Sequence, residues 1–324
     1  RTTSLLPGLR NKYPDARIHW LTLERAACLL EGNALIDEVF VCDGRTLPAA
    51  LARVPHDLVI CPDADLASVA LTEGIAQTNG AKRLGFSLDH RGQVEPLSEA
   101  ARTWYLMGVS DIRKKQNQKT YQDLVGGILE LPVPILDRPM LALRDEETER
   151  AATWLRRNGL GIGSLVGINT GAGSRWPLKQ WTLAGQLGLI ERLHAAGHRA
   201  LLLGGPDERV RHREIRERAP PGSCLDAGND NSLRDFAARL NLCSVLVTGD
   251  TLALHIGTAL GKQIVALFGP TSASEIQLFG RGAKVFTKDL DCLCCYSNCD
   301  RSPNCQDLIS VDMVWGAVSR CLLG

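Results

Sequence analysis

Short apolar runs alternate with longer amphipathic stretches along the whole chain. A strand buried on both faces reads as a brief continuous apolar run, and a covering helix keeps one polar face, so the alternation predicts an α/β protein with parallel sheets. In the first half, Ile18–Thr22, Glu38–Val41, Leu58–Cys61 and Lys82–Phe86 predict strands, with helices between them over 24–30, 46–54 and 66–78. Residues 98–129 read as helical, with a polar basic break at 113–117. The stretch 131–144 holds Pro132, Pro134 and Pro139 and little helical period, which marks a linker. A second series follows. It comprises a helix Asp145–Asn158, a strand Leu165–Asn169, a helix over 177–196, a strand Arg199–Leu203, a charged helix over 207–218 and a helix Leu233–Leu240. Strand Ser244–Thr248, helix Thr251–Leu260, strand Gln263–Phe268 and a closing helix over 311–323 complete it. The expected division is a domain over 1–138 and a second over 139–324, each doubly wound.

Composition narrows the function. With 324 residues, 44% hydrophobic and 23% charged, the chain has the means to bury sizeable cores and does not read as disordered. A net charge of +1 lacks the basic excess of a nucleic-acid-binding protein, so no nucleic-acid partner is expected. No apolar run approaches the roughly 18–20 residues of a membrane span. Arg209, Arg211, Arg213, Arg216 and Arg218 share a helix with Glu208, Glu214 and Glu217 and read as a solvated face. Arg113, Lys114, Lys115 and Lys119 read as a solvated face too, or as a surface for an acidic lipid-linked acceptor or an anionic membrane.

Of 11 cysteines, Cys292, Cys294, Cys295, Cys299 and Cys305 crowd into one segment, while most others sit among apolar neighbours. Cys292, Cys295, Cys299 and Cys305 are spaced so that four thiolates could hold a structural zinc or iron ion. The alternative is a surface loop of reduced thiols or an adventitious disulfide.

Ligands of open α/β sheets bind beyond the carboxyl ends of the strands. Three loops occupy such places. Asn169-Thr170-Gly171-Ala172-Gly173-Ser174-Arg175 leaves a strand, and its glycines let backbone N–H groups approach an anion, with Arg175 and Lys179 as cations. Gly204-Gly205-Pro206-Asp207-Glu208 offers carboxylates that could accept from ribose hydroxyls. Gly249-Asp250-Thr251-Leu252 opens a helix on which His255 lies one turn further. Taken singly, these loops read as a strand-to-helix turn, a helix cap and a satisfied half-buried histidine. Together, glycine, hydroxyl, acid and base groups at three strand ends of one sheet suit a nucleotide diphosphate.

The run Ile168–Trp181 (INTGAGSRWPLKQW) and the run Gly249–Gly261 (GDTLALHIGTALG), continued by Val265–Thr271 (VALFGPT), resemble hallmarks of glycosyltransferase family 9, the ADP-heptose:lipopolysaccharide heptosyltransferases and their relatives. Arg1–Leu9 is similar to the family's first helix, and the segment ending at Cys305 to one found in many members. The resemblance implies a GT-B fold, two Rossmann-like domains facing a cleft, with acceptor on the first and nucleotide sugar on the second. It implies inverting, metal-independent transfer of a heptose or related sugar, with ADP-heptose as expected donor and a lipopolysaccharide-core or similar glycan as acceptor. No cofactor is required for that chemistry. A cytoplasmic enzyme is expected, in peripheral contact with the inner face of the cytoplasmic membrane. The resemblance places Thr170, Gly171, Ser174, Thr251 and either Arg175 or Lys179 at the diphosphate, and Asp250 at the sugar hydroxyls. His255 supports the diphosphate, Asp207 or Glu208 meets the ribose, and Asn231 and Ser232 lie near the base.

Two departures from the pattern stand out. Leu252 occupies a position where the family usually has glycine, which narrows the approach of ligand to backbone. The family's proposed general base, an Asp in a Gly-Asp turn after its first strand, falls upstream of Arg1, so the first strand is expected to be missing and no catalytic base is named among these residues. A sugar-nucleotide epimerase of similar build and a non-catalytic nucleotide-sugar-binding protein stand as alternatives.

Overall fold

Eleven strands form among the described residues of the computed structural model, which covers residues 1–161, 165–173, 177–288 and 290–323, without the side chains of 77–79. They are β1 (His19–Leu23), β2 (Glu38–Cys42), β3 (Leu58–Cys61), β4 (Lys82–Leu88), β5 (Val94–Pro96), β6 (Leu165–Asn169), β7 (Arg199–Leu203), β8 (Cys224–Asp226), β9 (Val245–Gly249), β10 (Gln263–Leu267) and β11 (Gly282–Val285). The chain divides into two compact units, Arg1–Pro139 with Ser274–Gln277, and Met140–Ala273 with Leu278–Gly324.

In the second unit six parallel strands run in the order β11-β10-β9-β6-β7-β8. The chain starts at β6, builds outward through β7 and β8, then returns to the other side of β6 for β9. The point where the order reverses therefore lies between β6 and β9, and adjacent strand-end loops part there to leave a crevice. The central strands are apolar because helices cover both faces. Val166, Ile168, Leu202, Val245, Val247 and Val265 are fully buried against Leu189, Leu193 and Val314 of flanking helices. A buried ion pair joins two of these helices. Arg234 of helix Leu233–Asn241 donates to Glu147 of helix Asp145–Arg157 at 2.6 Å and to the Ala142 carbonyl at 2.7 Å.

The first unit holds a parallel pair, β1-β2, and a three-stranded sheet, β3-β4-β5, in which β5 is antiparallel. Phe40, Leu51, Val59 and Ile75 form one core, and Leu5, Phe86, Val125 and Ile128 belong to another.

Several boundaries differ from the sequence pattern. The basic break expected at 113–117 is mostly helical: helices span Glu99–Val109, Asp111–Gln116 and Tyr121–Ile128. Ser98, Ser110 and Thr120 each cap a new helix by accepting from Ala101, Arg113 and Asp123 N–H groups, so the true interruptions fall at the caps. The helix expected over 177–196 begins only at Leu183, after a 3-10 turn Pro177–Lys179, because Thr182 caps it by accepting from Gly185 N–H at 3.0 Å. The short strands β5, β8 and β11 gave too few residues for a period to show. Among the described residues no helix is long and apolar enough to cross a membrane.

Candidate functional site

Asn169, the last residue of β6, and Thr251, just beyond β9, bridge the reversal point: Asn169 Nδ2 donates to Thr251 Oγ1 at 3.3 Å and to the Gly171 carbonyl at 2.8 Å. Thr251 Oγ1 also shares a 3.0 Å hydrogen bond with Thr248 Oγ1. Thr251 holds the N-cap position of helix Leu252–Ala259, yet its side chain caps nothing. The first N–H groups of that helix thus have no side-chain partner from the cap residue, and such a helix start favours an anion.

Lys179 reaches this edge from the 3-10 turn. Its Nζ donates to the Asp250 carbonyl at 2.9 Å and lies 3.1 Å from Asp250 Oδ2, with both side chains mostly buried at 17% and 15% exposure. His255 Nε2 stands 3.8 Å from the other carboxylate oxygen. A cation, a carboxylate and an imidazole therefore meet where the second loop begins. Gly249 is required by this approach, because a Cβ there would overlap the Lys179 carbonyl.

The loop after β6 is secured from below by residues whose role the sequence pattern did not reveal. Thr170 is fully buried, and its carbonyl accepts from Gln180 Nε2 at 2.6 Å. Thr170 Oγ1 lies 2.8 Å from His212 Nε2, whose Nδ1 lies 2.8 Å from Asp226 Oδ1. His212 is itself fully buried, although it sits on the arginine-rich helix read as solvated. The missed signal was its spacing: at i and i+3 it pairs with Ile215 on the inward side. Asp226 lies below the ordinary carboxylate range; desolvation opposes this, while its hydrogen bonds to His212 and the Gly228 N–H bring it about.

The remaining expected residues are distributed differently. Gly171 packs so closely that a Cβ would overlap the Glu208 carboxyl group. Glu208 also accepts from Gly205 N–H at 2.8 Å, so its carboxylate is engaged in holding two loops together. Asp207 is exposed beside it. Asn231 Nδ2 donates to the Ala227 and Gly228 carbonyls, and Ser232 caps helix Leu233–Asn241 by accepting from Asp235 N–H, so both serve their own turn. Leu252 is 47% exposed at the start of its helix. Ser174 and Arg175 lie outside the described residues.

The thiols of the cysteine segment have partners within the protein. Among the described residues no three His, Cys, Asp or Glu side chains converge on a metal position. Arg301 engages two of the thiols: its Nη1 donates to Cys292 Sγ and its backbone N–H to Cys299 Sγ, each at 3.4 Å. Cys305 is buried against Gly269, and burial, with Cys295 nearby, pushes its thiol up to about 11. Cys299 and Cys292 also lie near enough to Cys305 for their charges to act in the same direction. The segment braces the sheet, with Cys294 and Tyr296 N–H groups donating to the Gly269 and Pro270 carbonyls.

In the first unit, the exit of β3 presents Asp63 and Asp65. Asp65 caps helix Leu66–Asn79, accepting from Ser68 N–H at 3.0 Å. Asp63 reaches solvent but is crowded by protein, and this desolvation, with the Asp65 charge, raises it above the usual carboxylate range. In the same unit, Arg1 stacks 3.9 Å above the Tyr121 ring.

Residues 45–305 match glycosyltransferase family 9 (heptosyltransferase). Lipooligosaccharide heptosyltransferase 2 of Haemophilus influenzae is 28% identical over 114 residues, 34% of this chain and 32% of that protein, so the aligned stretch spans about a third of this curated relative. A glycosyl transferase family 9 structure from Veillonella parvula superimposes with a TM-score of 0.75 at 21% identity, covering 99% of this chain and 93% of that one. The Escherichia coli ADP-heptose lps heptosyltransferase II gives 0.73 at 18%, covering 99% and 94%. These likenesses show the fold, the two-unit α/β architecture of GT-B type.

Proposed function

The chain belongs to glycosyltransferase family 9, the heptosyltransferases, and from that premise we propose that it moves a heptose from ADP-heptose to a lipopolysaccharide-core or similar lipid-linked glycan. The second unit takes the donor and the first the acceptor, in an enzyme working at the cytoplasmic face of the inner membrane. The names of the Haemophilus influenzae and Escherichia coli proteins support this reading of donor and acceptor class.

The observation that carries it is the Lys179–Asp250 pair at the reversal point beside a helix start without a side-chain cap. Breaking the sugar–phosphate bond leaves negative charge on the departing diphosphate. A preset ammonium group and helix amides at that position stabilise the charge as it develops, without reorganisation during the step. Before the donor arrives, Lys179 and Asp250 satisfy each other. On binding, a phosphate oxygen takes the ammonium and a sugar hydroxyl takes the carboxylate, so neither charge is left unpaired. Asn169 and Thr251 hold the two loops in register for this exchange. The transfer is inverting, by a single displacement, and the cation and amides perform the role a divalent ion has in other transferases.

Calorimetric titration with ADP-, UDP- and GDP-sugars in the presence of a chelator, followed by NMR of the product anomer, tests the proposal. Selective ADP-heptose binding and an inverted anomeric linkage are expected. Failure to bind any ADP-sugar, or retention of configuration, overturns it.

A further inference from the structure

We propose that the helix pair Glu99–Val109 and Asp111–Gln116 of the first unit docks on an anionic phospholipid surface. The inference deepens the reading of a lipid-linked acceptor, on which it rests for its purpose, though its geometry stands apart from the donor site.

Val109 and Ile112 flank the junction of the two helices and are 66% and 70% exposed. Scattered exposed apolar residues need no explanation, but these two are joined by cations. Residues 109–119 hold Arg113, Lys114, Lys115 and Lys119 against the single carboxylate of Asp111, a net charge of +3 from four cations and one anion. Lys114 lies 3.8 Å from Asp111. Arg113, Lys115 and Lys119 are exposed, and among the described residues no carboxylate pairs with them.

The arginine-rich helix Arg209–Arg218 shows the contrast. It too has an exposed apolar residue, Val210 at 68%. Its cations, however, are largely spent within the protein: Arg209 on Asp230, Arg218 on Glu214, and Arg211 on the Trp181 carbonyl.

The patch is also preformed. Ser110 caps the second helix, and Asn117 closes a tight turn by donating to the Lys119 carbonyl at 2.8 Å and accepting from its N–H at 3.0 Å. That turn fixes Lys119 beside the helix. A recess of about 320 Å³, walled by Trp104, Met107 and Val109 with Lys114 and Glu275, adjoins the same helices. Apolar side chains that enter the headgroup boundary and cations that meet anionic headgroups are the two signals whose combination gives reversible membrane binding. The positive excess selects an anionic surface over a neutral one.

The test is co-sedimentation of the full chain with phosphatidylglycerol-containing vesicles and with pure phosphatidylcholine vesicles, at low and high salt. Binding to the anionic vesicles is expected, weakened by salt and weak on neutral ones. Each of Arg113→Glu and Lys115→Glu is expected to weaken partition at least about fivefold, and the double variant Val109→Ser/Ile112→Ser comparably. ADP-heptose binding, measured in parallel, stays unchanged in these variants, which also serves as the check on folding. Absence of wild-type binding to anionic vesicles, equal binding to neutral ones, or unaltered partition of all variants overturns the proposal. If docking fails while transfer to a soluble, delipidated acceptor persists, the enzymatic reading stands and the membrane surface falls. If docking holds and no ADP-sugar binds, the reverse applies.

Discussion

The strand ends of the two units use polar groups in opposite ways. In the second unit, the exits of β6 and β9 are tied by buried contacts: His212 against Thr170 and Asp226, Gln180 on the Thr170 carbonyl, Lys179 on Asp250. In the first unit, the exit of β3 presents two exposed carboxylates, Asp63 and Asp65, and helix Asp111–Gln116 presents the exposed cations Arg113 and Lys115. At the exits of β6 and β9 the fold satisfies these groups internally. At the exit of β3, charge is left at the surface. A buried, paired group is costly to disturb, whereas an exposed one is cheap to alter.

The largest expected effect comes from breaking the waiting pair. Lys179→Ala is expected to lower the transfer rate by about 100- to 1000-fold, as for loss of one charge-stabilising group at a leaving oxygen; initial-rate measurements at saturating donor check this. A second break lies in the body of the same unit. Arg234 beside Glu147 holds its carboxyl down to about 2 from an ordinary 4.5. A depressed carboxyl contributes its stability in full above about pH 4.5 and loses it as pH falls through about 2. Glu147→Gln is therefore expected to cost about 3 kcal/mol at pH 7, leaving Arg234 buried and unpaired, with the gap to the wild type closing as acid titrates Glu147. Urea unfolding at several pH values reads it.

His212→Ala is expected to cost about 2 kcal/mol by removing the buried hydrogen bonds to Thr170 Oγ1, which keeps the Leu203 carbonyl, and to Asp226, which keeps, among others, the Gly228 N–H. Because Thr170 heads the β6 loop, donor affinity should fall with it, and calorimetry of the variant against ADP separates that loss from unfolding. Smallest is the first unit's contribution: Asp65→Ala, which removes one helix cap, should cost about 1 kcal/mol in thermal unfolding. If Asp65→Ala proved as damaging as His212→Ala, the contrast between the two edges would be wrong.

Much of this was legible in the residues. Apolar runs marked β6, β7, β9 and β10 because strands buried on both faces admit little else. The loops at 169–173 and 249–251 stood out because glycine and hydroxyl residues followed such runs. Boundaries were harder where a cap, not a period, decides them, as at Ser110 and Thr182. His212 stayed hidden because its partners lie 14 and 42 residues away. For a related reason, the residues alone do not disclose that Gly205 already engages the Glu208 carboxylate or that Arg301 engages Cys292.

The sequence by itself determined the alternation of strand and helix, the family and the stretches able to face a diphosphate, since these follow from local period and short motifs. Only the tertiary structure decided which cation meets Asp250, which histidine lies buried and which thiols Arg301 engages. Such pairings depend on distances between elements far apart in the chain, and strand order, not residue spacing, sets those distances.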